Sequence, residues 1–305
     1  MNINVFILGA GASNDYGFPT ARELIFDIYE SPILLKSQNT NPKLYSGLNI
    51  SAEEFEEFRL RLHQSPSQSV DIFLENNEKY ENVGKCAIAS QLIACELKDS
   101  LMFRTKTNYR WYEYLFNKIG TTLNEFKDNY QNFAFITFNY DRSLEYYLYY
   151  QLNMAYNIPL PTSAAMIRSM KIIHVYGSLG EPKFLSENGR DYLPEISIET
   201  IRNATENIQI LKSNTKETDK FQEAHLVIGS AKRLVFLGFS FGRENVRRLM
   251  PIFDSEYHYP FTIGTGYGME QAEVINAKSL FDSKFNIIIT NYKILELLRN
   301  EPLFD

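Results

Sequence analysis

A short apolar run that ends in a glycine-rich turn is the feature that most limits how this chain can fold. Residues 5–8, Val-Phe-Ile-Leu, predict a buried strand, and Gly9 and Gly11 follow it closely. A strand followed by such a turn and a helix lets the backbone approach a diphosphate and present N–H groups to it. The motif predicts a nucleotide site at the end of the first strand, although Gly-x-Gly also occurs in ordinary tight turns.

Five further apolar runs predict the rest of a sheet. They lie at residues 133–137, 170–176, 233–238, 261–263 and 285–289. Continuous apolar runs of this kind are typical of strands that helices cover on both faces, as in a parallel sheet. We therefore predict an α/β fold with a Rossmann-like, doubly wound parallel sheet, in which ligands bind beyond the carboxyl ends of the strands.

The long interval between the first two strands predicts only helices. Ser51 and Glu54 form a capping-box pattern that starts one of them. We therefore predict that residues 51–130 are an inserted helical subdomain and that residues 1–50 and 131–305 form the Rossmann-like core. The other predicted helical segments are 20–30, 69–74, 83–98 and 109–119, with a polar link at 36–49.

Composition and charge limit the classes of partner. The chain has 305 residues with 31 Lys and Arg against 37 Asp and Glu, a net charge of −6, so no overall basic field attracts nucleic acid. No apolar stretch approaches the roughly 18 residues that span a membrane, and the first residues lead into a strand without a cleavable signal. We expect a cytoplasmic protein that binds neither membranes nor, directly, nucleic acid.

Small and polar residues follow the second, third and fourth predicted strands. They are Thr137, Asn139 and Asp141 after the second strand, His174, Tyr176, Gly177 and Ser178 after the third, and Gly238 and Ser240 after the fourth. Because the carboxyl ends of parallel strands meet at one edge of the sheet, we expect these residues to share a crevice with the glycine turn. Structural roles also fit them individually, since Asp141 can cap the next helix and His174 can be a core histidine.

Taken together, these segments resemble the sirtuin family. The first match is a dinucleotide loop, with Gly9, Ala10, Gly11 and Ser13 in a GAG-x-S segment and Pro19 and Arg22 in its G-I-P-D-F-R continuation. The other matches are Thr137, Asn139 and Asp141 in a T-Q-N-I-D motif, Gly177 and Ser178 in a His-Gly-Ser motif, and Gly238 and Ser240 in a late Gly-Thr-Ser motif. The resemblance implies that these positions bind NAD+, with Asn139, Asp141 and a histidine in the catalytic roles.

Two departures from the sirtuin pattern narrow the resemblance. Sirtuin deacylases hold zinc with four cysteines after the catalytic histidine, whereas no cysteine follows Cys95 here, so we predict no zinc ribbon and no metal. Residues 69–74 and 84–89 instead resemble the sirtuin-like domains of bacterial antiphage defence systems. Tyr176, not a histidine, precedes the motif glycine, and His174 lies two positions earlier. On one strand both would face the same side, which leaves both as candidates for the catalytic role.

The antiphage resemblance implies an NAD+ glycohydrolase that releases nicotinamide and ADP-ribose and so depletes NAD+. In this hypothesis Asn139 orients water and the ribose hydroxyls, and His174 is a base or a hydroxyl partner. Asp141 faces the carboxamide or the developing positive charge, while Gly9, Gly11 and Ser13 cradle phosphate.

Other functions stay open at this point. They are a zinc-free deacylase or ADP-ribosyltransferase, and a module that senses NAD+ or ADP-ribose without catalysis. A dehydrogenase fits less well because the full G-x-G-x-x-G motif is absent. We further expect a separate sensor or activating protein and a homo-oligomer.

Overall fold

Six parallel strands form the centre of the molecule in the computed structural model, which describes residues 3–103, 110–210, 218–250 and 259–304. The strands are β1 (Ile3–Leu8), β2 (Phe133–Thr137), β3 (Lys171–His174), β4 (Ala231–Leu237), β5 (Phe261–Thr265) and β6 (Ile288–Thr290). Their spatial order is β3-β2-β1-β4-β5-β6. Helices flank this open sheet, which confirms the predicted α/β class with a Rossmann-like, doubly wound sheet.

The α-helices of the described ranges lie between the strands along the chain, except the last one, which follows β6. They are α1 (Ala21–Glu30), α2 (Ile33–Thr40), α3 (Leu44–Gly47), α4 (Ala52–Gln64), α5 (Val70–Asn76), α6 (Glu81–Ile93), α7 (Lys98–Met102), α8 (Trp111–Ile119), α9 (Leu123–Asn129), α10 (Ser143–Tyr156), α11 (Leu160–Ser169), α12 (Ile198–Asn207), α13 (Asp219–Gly229), α14 (Arg243–Leu249), α15 (Gln271–Lys278) and α16 (Ile294–Asn300). Within the same ranges, no helix is long and apolar enough to cross a membrane.

The predicted strands are confirmed, with ends that shift by a few residues. The strand expected at 170–176 ends at His174. The polar link expected at 36–49 is wrong, because this stretch contains most of α2 and all of α3. Leu34 and Leu44 on these two helices are almost completely buried, so a few apolar side chains hold a segment whose average composition is polar.

Helices and turns, without a strand, make up the described part of residues 51–130, and the capping box at Ser51 is present. The helix expected at 83–98 ends at Ile93; for the one expected at 109–119, residue 109 lies outside the described ranges and α8 begins at Trp111. Buried residues of this helical segment and of the sheet belong to one hydrophobic cluster. The division into a core and an inserted subdomain stays a prediction.

The strand order reverses beside β1, and this reversal defines where a ligand can bind. The chain builds β1, β2 and β3 outward toward one edge and then returns to place β4 on the other side of β1. The connections after β1 and β4 therefore leave the sheet in different directions. In open α/β sheets this switch point is the usual location of a nucleotide.

The helical segment is fastened to the glycine turn at this same point. The indole N–H of Trp111 donates to the carbonyl of Ala12 at 2.8 Å. The ring of Tyr112 stacks on Tyr16 with centroids 3.8 Å apart, and its backbone N–H donates to the Tyr16 hydroxyl. Helix α8 thus fixes the turn after β1 and brings its own side chains to the carboxyl edge of the sheet.

Candidate functional site

The glycines after β1 allow two turns to touch. Gly9 N–H donates to the carbonyl of Leu237, and Gly11 N–H donates to that of Gly238, both at 3.0 Å. A Cβ on Gly9 would lie 2.5 Å from the Gly238 oxygen, and one on Gly238, where φ is +58°, would lie 2.2 Å from Ala12 N. The sequence predicted that these N–H groups face a diphosphate. In the structure the β4 turn accepts them instead, because the two turns pack directly against each other.

A small cavity opens between the carboxyl ends of β1, β2 and β3. It is lined by Leu8, Ser13, Tyr112, Thr137, Asn139, Asp141, Leu144, Glu145, Ile172 and His174. The space has room for about one water molecule, so a nucleotide enters only if the surrounding loops separate. The structure therefore brings together five of the predicted site residues: Ser13, Thr137, Asn139, Asp141 and His174.

Asn139 links the end of β2 to the glycine turn. Its side-chain Nδ2 donates to the carbonyl of Gly9 at 2.9 Å and lies 3.1 Å from the hydroxyl of Ser13. Its backbone N–H donates to the hydroxyl of Thr137 at 3.0 Å. These contacts fix the amide of Asn139 at the wall of the cavity, beyond the carboxyl end of β2, where the sequence places it.

His174 is held at both ring nitrogens. Nδ1 lies 2.9 Å from the carbonyl oxygen of Asn139, and Nε2 lies 2.6 Å from a carboxylate oxygen of Glu145. Burial lowers the pKa of His174, but the charge of Glu145 and the hydrogen bonds that the ring donates to Glu145 and Asn139 outweigh this effect and raise the pKa above 6.5. In this arrangement the ring has no free lone pair, so it is not positioned to act as a general base.

Asp141 is buried below Asn139, at the start of α10. One carboxylate oxygen accepts from the backbone N–H of Ser143 at 3.0 Å and also from its hydroxyl. Burial raises the pKa of Asp141 above its usual value, although hydrogen bonds from Ser143 and Ser13 act in the opposite direction. Asp141 is not the N-cap residue of α10, which is Arg142, but it satisfies the backbone N–H of Ser143 at the start of that helix and also lines the cavity.

Tyr176 faces a different part of the molecule from His174. Its hydroxyl donates to the side chain of Asn245 at 2.7 Å and accepts from Arg248 at 3.0 Å. The prediction that both side chains face one site is wrong. Strand β3 ends at His174, and a turn closed by Gly177 N–H on the His174 carbonyl breaks the alternation on which that prediction depended.

The remaining predicted binding residues do not line the cavity. Gly177 packs under the end of α12, since a Cβ there would lie 1.8 Å from the Asn207 oxygen. The hydroxyl of Ser178 donates to the Gly180 carbonyl at 3.3 Å. The other positions are Gly9, Gly11 and Gly238 in the packed turns, Ala10 and Pro19, which are half-buried, and Arg22 and Ser240, which are exposed.

Two polar residues of the cavity wall, Glu145 and Tyr112, were not among the predicted site residues. Glu145 carried a signal, because it is an acidic residue on the first turn of the helix that follows Asn139 and Asp141. Tyr112 carried none, since it belongs to α8 and reaches the site only through tertiary packing. Its hydroxyl lies 2.7 Å from that of Ser143.

A second buried cluster, which we call the ion triad, consists of Glu96, Arg142 and Arg190. Arg142 and Glu96 have no exposed side-chain surface, and Arg190 is 8% exposed. Arg142 approaches Glu96 to 2.7 Å and also donates to the carbonyls of Glu181, Arg190 and Asp191. The triad ties the start of α10 to the helical segment and to the loop after β3.

Helix α5 contacts the loops that follow two of the strands. Asp71 is half-buried and accepts a hydrogen bond from the hydroxyl of Tyr140, the residue after Asn139. Glu75 lies 3.1 Å from Arg248 on α14, with little of either side chain exposed. The segment 69–74, which resembled antiphage domains, thus packs beside the candidate site.

Comparisons with known proteins add no assignment: no protein-family model matches the chain, and no curated protein does either. In the part of the chain that the structure describes, no three His, Cys, Asp or Glu side chains are placed to hold a metal ion. Burial raises the pKa of the Cys86 thiol to about 12 and that of Cys95 to about 11. Both thiols are therefore protonated near neutral pH and are poor metal ligands in this state.

Proposed function

We propose that this protein is a sirtuin-like NAD+ glycohydrolase and an NAD-depleting effector of bacterial antiphage immunity. The observation that supports the proposal best is the position of Asn139 beyond the carboxyl end of β2, next to the glycine turn that follows β1. There its amide spans from β2 to the glycine turn, in a cavity that Asp141 and His174 also line. A Rossmann-like strand order with a glycine turn after β1 is a common framework for dinucleotides.

The proposed reaction needs few chemical groups. The bond between the ribose anomeric carbon and the nicotinamide nitrogen breaks, and its electron pair returns to the ring, which leaves as neutral nicotinamide. Positive charge develops on the ribose, as in glycoside hydrolysis, and a water oxygen bonds to the anomeric carbon. The water loses one proton, and the products are nicotinamide, ADP-ribose and H+.

The roles follow from the contacts of each residue. The Asn139 amide orients water and ribose hydroxyls. Asp141 is the proton acceptor in this proposal, because burial makes its carboxylate more basic and both nitrogens of His174 are engaged. The paired His174 and Glu145 carry little net charge and so do not oppose the positive charge that forms on the ribose.

The size of the cavity supports an activation step. A space for about one water molecule excludes the nicotinamide ribose until the loops move. We propose that a separate sensor or activating protein, acting on a homo-oligomer, promotes this opening.

A second candidate, a nucleotide-sensing module without catalysis, is favoured by one observation. The ring of His174 has no free lone pair, and Tyr176 is turned toward Arg248 instead of the cavity. Incubation of the purified protein with NAD+, alone and with the product of a neighbouring gene, separates the two. Release of nicotinamide and ADP-ribose supports the glycohydrolase, whereas saturable binding that leaves NAD+ intact supports the sensor.

A further inference from the structure

The contacts of His174 determine which of its nitrogens carry protons. The Asn139 carbonyl oxygen only accepts hydrogen bonds, so the nitrogen 2.9 Å away, Nδ1, must be the donor. Nε2 lies 2.6 Å from Glu145, a separation typical of a charge-assisted hydrogen bond. With an ionised Glu145 the ring therefore donates from both nitrogens and is positively charged.

The groups that face His174 favour this charged form. The carboxylates of Glu145 and Asp141 and the carbonyl of Asn139 all stabilise the proton, against the cost of burial. Glu145 is itself 9% exposed and lies on the first turn of α10, so it is held against the ring by the helix. Loss of the Nε2 proton would place two acceptors 2.6 Å apart, and the contact would break.

The ring in turn holds the residue on which the proposed chemistry depends. It anchors the backbone carbonyl of Asn139, whose side chain points to Gly9 and Ser13. We propose that Glu145 is a positioning residue that acts through a doubly protonated His174 to fix Asn139 at the cavity wall. Only the activity test of this inference rests on the proposed function, because the protonation of the His174 ring can be observed without NAD+ cleavage.

The first test follows the His174 ring nitrogens by ¹⁵N NMR during a pH titration, with His174→Gln used to assign the signals. The wild-type ring is expected to keep protons on both nitrogens to a midpoint above 6.5, and Glu145→Gln should move that midpoint to lower pH. A wild-type midpoint at or below 6.5, or one that Glu145→Gln does not move, overturns the inference. The wild-type midpoint tests the doubly protonated ring by itself, so this part of the inference can be overturned even if the variant does not fold.

The second test uses NAD+ cleavage. Glu145→Gln is expected to lower kcat by about 10- to 100-fold with a smaller change in KM, because Asn139 is misplaced and not removed. The alkaline limb of its pH profile should move to lower pH. Glu223→Gln, which removes a carboxylate from the exposed contact with Lys220, serves as the control that keeps wild-type kinetics. An unchanged kcat or alkaline limb in Glu145→Gln contradicts the inference. If the wild type cleaves no NAD+, the proposed function fails and the titration still decides the role of Glu145.

Discussion

Side chains of one stretch of chain, residues 139–145, belong to two different polar clusters. Asn139, Asp141 and Glu145 line the cavity, whereas Arg142, between them, enters the ion triad. In the triad each charge meets an opposite charge or a carbonyl. At the cavity, polar and apolar side chains surround a space for about one water molecule. One cluster therefore fixes the backbone, whereas the other is available for a ligand.

Arg142 is a buried charge that supports the cavity without lining it. Arg142 is completely buried and holds three backbone carbonyls of the loop after β3. Because it lies next to Asp141 in the sequence, this anchorage fixes the start of α10. We expect changes in the triad to act on stability and changes at the cavity to act on activity.

The largest expected effect is the loss of the central charge of the triad. Glu96→Gln leaves Arg142 and Arg190 buried without a counter-charge, so we expect the free energy of unfolding to fall by about 3–5 kcal/mol. Urea denaturation followed by circular dichroism measures this. In the matched control Glu244→Gln, an exposed ion pair with Arg247 is lost, and the change should stay below about 1 kcal/mol. Equal effects in the two variants would show that the triad does not anchor the fold.

A smaller effect is expected at His174 and Tyr176. The sequence left both as candidates for the catalytic role, and in the structure only His174 lines the cavity. His174→Ala removes the contact that holds Asn139, and we expect about 10²-fold slower NAD+ cleavage. Tyr176→Phe removes one hydroxyl outside the cavity and should cost less than about 10-fold. Nicotinamide release measures both. The reverse order would move the catalytic role to Tyr176.

The sequence predicted the sheet well because each strand includes or adjoins a short apolar run that could be recognised in the sequence. The position of Asn139 and Asp141 followed from this, since both come directly after β2. The direction of Tyr176 did not, because a turn begins at the end of β3 and no residue pattern marked it. Glu96 pairs with Arg142, which lies 46 positions further along the chain, and Tyr112 pairs with Ser143, which lies 31 positions further along. Pairing over such separations leaves no pattern in the local sequence.

The smallest expected effect concerns stability at the cavity. The pKa of Asp141 is raised in the folded protein, mainly by burial, so the folded state binds its proton more tightly than the unfolded state does. Stability from this group therefore falls as pH rises from 3.8 through the folded pKa. In Asp141→Asn this loss of stability with rising pH is absent, and the amide oxygen can still accept the hydrogen bonds from Ser143. We expect the variant to unfold at a higher urea concentration than wild type at pH 7 while its NAD+ cleavage falls. A lower urea midpoint for Asp141→Asn would show that the charge of Asp141 stabilises the fold, as the charges of the ion triad do.

The rate of nicotinamide release by Asn139→Ala, beside that of Asn153→Ala, tests most directly whether the cavity is a catalytic site. Asn153 is the matched control, because it too is half-buried and donates to a backbone carbonyl, at 2.8 Å, but lies far along α10 from the cavity. Both variants should lose a similar free energy of unfolding, about 1 kcal/mol for a hydrogen bond of this kind. We predict that Asn139→Ala cleaves NAD+ at least about 10²-fold more slowly and that Asn153→Ala stays close to wild type. A folded Asn139→Ala protein that cleaves NAD+ at the wild-type rate would contradict the assignment.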